Sequence, residues 1–202
     1  MSNFDRSVSI VRGVMISLGF SMAFAGGAYA EDEGEKAKLA QCAKDLCSII
    51  VSKDANGPDV TCDVTKTWQK EEIQKGAEQK KLSWGQGSAK CSAKLSVKRA
   101  DIVASLTKPV HELKIEKQAV SCEIGESKYP ISATLAPELK FKDGASTNAA
   151  LHINDIQGAT LIKGAVWTAA TLEQNFGLFE KDLVREINRF VSKECPKILE
   201  AK

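Results

Sequence analysis

The chain has 202 residues, with 28 Lys+Arg against 26 Asp+Glu and a formal net charge of +2. That balance leaves no basic footprint for nucleic acid. Aromatic residues make up only 6% of the chain, and Trp68, Trp84 and Trp167 are too scattered to form a base-stacking platform.

Residues 1–30 read as an export signal. Arg6 and Arg12 precede an apolar run from Val14 to Ala28, too short and too glycine-rich for a membrane span. Ala28-Tyr29-Ala30 is a small-x-small cleavage pattern, followed by the acidic EDEGEK. Cleavage is expected after Ala30, and no cysteine stands there to carry a lipid anchor. Nor does a second long apolar run follow. Residues 31–202 are therefore expected to form one soluble domain, periplasmic or secreted, with no stable membrane insertion.

The mature part opens with a helix over residues 31–53. Leu39, Ala43, Leu46 and Ile50 recur at helical spacing, and Asp54–Asp59 (DANGPD) is a turn. Val60–Trp68 alternates as a strand. Lys70–Lys81 is polar and rich in Lys, Glu and Gln; it reads as a short exposed helix rather than an extended loop. Residues 89–98 (AKCSAKLSVK) alternate cleanly, with Ala89, Cys91, Ala93, Leu95 and Val97 on the dry parity. DIVASL, at 101–106, caps a short helix or continues the strand.

His111, Leu113 and Ile115 share one parity, whereas Val120, Cys122 and Ile124 share the other. A strand cannot keep one face buried through that switch without an extra residue, so a bulge or break is expected near Lys117–Ala119. Tyr129–Leu135 is a further strand. Leu139 and Phe141 lead into a turn at Lys142-Asp143-Gly144, and Ala149, Leu151 and Ile153 form the next strand. Residues 159–170 suit either strand or helix. Thr171-x-x-Gln174 matches a capping box, and Leu172, Phe176, Phe179, Leu183, Ile187 and Phe190 then mark a long amphipathic helix ending at Pro196. This order predicts an α+β fold: an antiparallel sheet of about five or six strands, with the N-terminal and long C-terminal helices on one face.

Six cysteines, Cys42, Cys47, Cys62, Cys91, Cys122 and Cys195, fall in the mature part. An even count in an exported chain reads as three disulfides. Cys62, Cys91 and Cys122 point inward from three strands, and the others sit on helices. Bridges from helix to strand are the natural solution: Cys122 with Cys195, and Cys42 and Cys47 shared between Cys62 and Cys91. Pairing between neighbouring strand cysteines is the alternative. Cys42 and Cys47 lie roughly 140° apart around a helix, which disfavours a bond between them. Their four-residue gap is not that of a thioredoxin-like pair.

Motifs for catalysis are sparse. No G-x-S-x-G elbow, HExxH or EF-hand loop occurs, and Gly85-Gln86-Gly87 precedes a strand instead of opening a helix. His111 is expected half-buried and hydrogen-bonded near the start of its strand, and His152 exposed. No catalytic, cofactor-binding or metal residue is assigned and no cofactor is expected. The reading that fits is a non-enzymatic binding or interaction protein of the cell envelope. Its partner would be an envelope protein or a small hydrophobic ligand held between sheet and C-terminal helix, with Phe176, Phe179, Leu183 and Phe190 lining the pocket. The alternatives are a hydrolase-like enzyme assembled from His111, Glu112 and Asp155, and a thiol oxidoreductase.

Overall fold

The computed structural model describes residues 33–177 and 179–200. The expected export signal, residues 1–30, lies outside the described residues. The elements run α1 (Glu33–Ser52), β1 (Val60–Trp68), α2 (Lys70–Gln79), β2 (Ala89–Val97), α3 (Arg99–Thr107), β3 (Val110–Lys114), β4 (Gln118–Ile124), β5 (Tyr129–Lys142), β6 (Ala145–Gly158), α4 (Thr160–Phe176), α5 (Glu180–Arg189), a π-helical turn (Phe190–Glu194) and α6 (Cys195–Glu200). The fold is α+β with a six-stranded antiparallel sheet.

β3 and β4 are two halves of one interrupted strand along β5. Lys114 pairs with Glu138 and Gln118 with Leu135, so residues 115–117 stand opposite residues 136–137. That single extra residue inverts the parity, as the sequence requires, and it keeps Leu113 and Ile124 buried on the same side. The sheet is consequently a meander in space: β1, β2, the β3–β4 row, β5, then β6. Asp143 and Gly144 close the β5–β6 hairpin with φ of 51° and 80°. Two positive φ values are what a two-residue turn between right-twisted strands demands.

The helices cover one face. Cys47, Ile49 and Ile50 of α1, Ile102 and Val103 of α3, Phe190, and Cys195 and Ile198 of α6 share one buried core with Val60, Cys62 and Val64. Ile162 of α4 packs on Ala89, Ile124 and Ile131, with Ile73 and Trp84 at the margin. Residues 159–170 thus resolve as the start of a helix. α2 forms as read, with the Glu72 carboxylate accepting the Gln69 N–H at 3.0 Å. Arg99 opens α3 and fixes the DANGPD turn, donating from Nε to Pro58 O (2.9 Å) and from Nη1 to Asp54 O (3.0 Å).

The C-terminal region departs from the single helix expected over 171–195. α4 ends at Gly177, which adopts the left-handed conformation (φ 57°) and donates its N–H to Glu173 O. Thr171 therefore sits inside a helix and its hydroxyl donates to Trp167 O at 2.8 Å, instead of forming a cap. Pro196 does not end the helix either; it is the second residue of α6. The turn before it widens, so that Cys195 N–H donates to Phe190 O. That π-type turn accommodates a residue with no N–H to give.

The cysteines form three disulfides: Cys42–Cys62, Cys47–Cys195 and Cys91–Cys122. Only the first joins a helix to a strand. The expected Cys122–Cys195 bridge does not form because α6 lies against α1, which places Cys195 beside Cys47. Cys91 is not reached by a helix cysteine; it stands directly opposite Cys122 in the β2–β4 ladder. Cys42 takes one of its two expected partners, Cys62, whereas Cys47 takes Cys195 instead of Cys62 or Cys91; no bond joins Cys42 to Cys47, as their separation around the helix implied.

Candidate functional site

Alternation that buries one face leaves the other polar. On that second face the register lines up Thr65, Ser92, Ser121, Ser132 and Gln157, one from each of five neighbouring strands. Thr65 and Ser92 share a hydrogen bond of 2.9 Å between hydroxyls. On one side of this row lie Thr67, Lys90, Glu123 and Pro130, and on the other Asp63 pairs with Lys94. Among the described residues no helix crosses this face: Lys90, Ser92, Ser121, Glu123 and Ser132 are all exposed.

An open groove of about 570 Å³ is lined by Lys90, Ser92, Ser121, Glu123, Ser132 and Gln157, among others. A smaller one of about 240 Å³ continues toward Thr134 and Asp155. The second bulge of the sheet shapes that end. Ser132 pairs with Gln157 but Thr134 with Asn154, so β6 carries one extra residue there. Asp155 takes a positive φ of 52° and accepts a hydrogen bond from the Thr134 hydroxyl at 2.8 Å. At the β1 edge, Glu35 of α1 is only 7% exposed. It accepts Thr67 N–H (3.0 Å) and Thr67 Oγ1 (2.9 Å) and pairs with Lys90 Nζ at 3.0 Å. An edge N–H that could recruit another strand is thereby occupied.

Groups on this surface suit polar contact rather than proton transfer. Its lining carries hydroxyl, amide and charge of both signs beside Pro130, Ile131 and Val120, with no aromatic ring for sugar or base stacking. Periodicity made the polar face readable, but the serine row was not, because it depends on the register between strands.

The residues singled out from sequence are dispersed. Phe190 is buried in the core beside Cys195. Phe179 and Leu183 are half-buried at the α4–α5 junction and on α5, and Lys80 Nζ lies 5.8 Å from the Phe179 ring centre. The Phe176 side chain lies outside the described residues. The two grooves open on the sheet face opposite these helices. His111 and Glu112 are neighbours on β3 and so face opposite sides of the sheet. Their strand pairs with β5 near Phe141, whereas Asp155 touches Thr134, roughly 23 Å away along β5. His111 is half-buried and its Nε2 has no hydrogen-bond partner. A hydrogen bond with Glu138, together with Lys114 and Lys140, holds the exposed Glu112 carboxyl below its usual range, which suits a standing charge more than a general acid. His152 is exposed as expected, 3.9 Å from Glu138.

All six cysteines are oxidised, and no described helix is long and apolar enough to cross a membrane. Among the described residues, no group of His, Cys, Asp and Glu is arranged to hold a metal. No protein-family profile matches the chain, and no curated protein or solved structure matches it at a significant level.

Proposed function

We propose that this chain is a non-catalytic interaction module of the cell envelope or the extracellular space, exported by residues 1–30, which meets a protein partner on the helix-free face of its sheet. The observation that carries this reading is the polar row Thr65, Ser92, Ser121, Ser132 and Gln157, the last four of which line an open groove. Short side chains on a broad sheet let another surface approach closely, and their hydroxyls serve as both donors and acceptors. Three disulfides fit an oxidising compartment. The test is a photo-crosslinking side chain placed at Ser121 in the exporting cell, with Lys193 as the helix-side control. A discrete protein adduct from position 121, lost on Ser132→Arg, is expected. Equal adducts at both positions, or none at 121, would reject the reading. The mature mass should begin at Glu31.

A second reading places a small hydrophobic ligand between the sheet and the C-terminal helices. It rests on Phe179 and Leu183, half-buried where α5 packs on β6. Native mass spectrometry of gently purified protein decides it: a co-purifying apolar mass, reduced by Leu183→Glu, is the expected result.

A further inference from the structure

The three disulfides differ in their surroundings. Cys47 and Cys195 are both fully buried, and Cys62 is 7% exposed within the main core. Cys42 is part-exposed and its partner Cys62 is buried, whereas Cys91 and Cys122 are both part-exposed although they lie on the helix-side parity of their strands. The cause is their position between the two core clusters. Ala89 belongs to one and Ala93 to the other, so Cys91 is flanked on its strand by two methyl groups that make low walls. The bridge spans directly opposed residues, with Cα atoms 4.0 Å apart, on strands already paired on either side of it. Lys66 stands opposite Cys91 from β1, on the same face.

We propose that Cys91–Cys122 is a thiol-exchange site, opened by an external dithiol such as the paired cysteines of an oxidoreductase while the other two bridges stay closed. One thiolate of the dithiol attacks Cys122 Sγ. A new S–S bond forms as the Cys91–Cys122 bond breaks, and the electron pair leaves on Cys91 Sγ. The second thiolate of the dithiol then attacks its own partner sulfur in the mixed disulfide, closing a cyclic disulfide and releasing Cys122 as thiolate. The dithiol loses two electrons and the cysteine pair gains them. The protons given up by the dithiol balance those taken up by the two released thiolates. Sheet pairing on both sides holds the strands in register after release.

The test uses the full oxidised protein with dithiothreitol, quenched over time with an alkylating reagent and mapped by peptide mass spectrometry. Cys91 and Cys122 should be labelled together at least tenfold faster than any other cysteine, with the far-UV circular dichroism unchanged. If Cys42–Cys62 opens first, or all three bridges open together with loss of the spectrum, the proposal is wrong. Reduced glutathione in place of the dithiol tests the site: the adduct is expected on Cys91 or Cys122, and an adduct on Cys42 or Cys47 overturns it.

Discussion

Asp182 stands in the first turn of α5 and pairs with Lys80 from the segment after α2. Both side chains are largely shielded, and the hydrogen bond from Lys80, with Arg185 behind it, holds the Asp182 carboxyl below its usual range. A carboxyl held low in the folded state adds stability above its unfolded pKa and loses it as pH falls through the folded value. Wild type should therefore weaken as pH falls below about 4, and Asp182→Asn should remove that part of the acid sensitivity. At neutral pH the variant should cost about 1 kcal/mol. Urea midpoints of both proteins at pH 7 and pH 3 measure this; parallel losses would show that the pair contributes nothing. His111 makes the opposite case. Its half-buried Nε2 has no partner, and such an atom gives up water for nothing in return. His111→Leu should raise stability by about 1 kcal/mol, read from the same urea curves. Both histidines fell on the predicted sides of their strands because period-2 burial acts residue by residue. The Lys80–Asp182 pair was invisible in sequence, since a separation of 102 residues carries no local signal.

The sheet was the legible layer at the scale of elements, and the C-terminal helices were not. The parity switch between Leu113 and Val120 required an extra residue, and the structure places it at 115–117, overlapping the expected Lys117–Ala119 at Lys117. A strand pattern has no other way to invert its faces. The apolar spacing from Leu172 to Phe190 instead runs straight through a helix break. Phe176 and Phe179 are three apart, as in one continuous helix, yet Gly177 between them turns left-handed. The glycine was the available signal, and the apolar periodicity overrode it. Its role can be tested directly. A Cβ at position 177 would approach Glu180 Oε2 to 2.8 Å and its Cβ to 3.3 Å, on a backbone with φ +57°. The left-handed conformation alone costs a non-glycine residue about 1 kcal/mol. Gly177→Ala should therefore destabilise by about 1–2 kcal/mol. Amide hydrogen exchange should show the loss first around residues 173–183. An unchanged melting midpoint would mean that α4 and α5 can join as one helix.

Across the whole molecule, the inward cysteines could be read from strand parity but their partners could not. Pairing depends on which helix lies beside which, and that is fixed by packing over the full chain. Cys47–Cys195 holds the two ends of the domain together. Its sequence separation of 148 far exceeds the 20 of Cys42–Cys62. Restricting the unfolded chain over those lengths corresponds to about 5 kcal/mol for the long loop and about 3 kcal/mol for the short one. The long bridge also lies wholly inside the core, between α1 and α6, so its removal leaves unfilled volume as well as a freer unfolded state. Cys47→Ala/Cys195→Ala should accordingly lose more stability than Cys42→Ala/Cys62→Ala, by about 2 kcal/mol or more in guanidinium denaturation. α6 should become the first segment to exchange its amides, since its hold on the sheet runs through α1. The reverse order of stability would mean that the short helix-to-strand bridge, not the long one between the chain's ends, keeps the helical layer on the sheet.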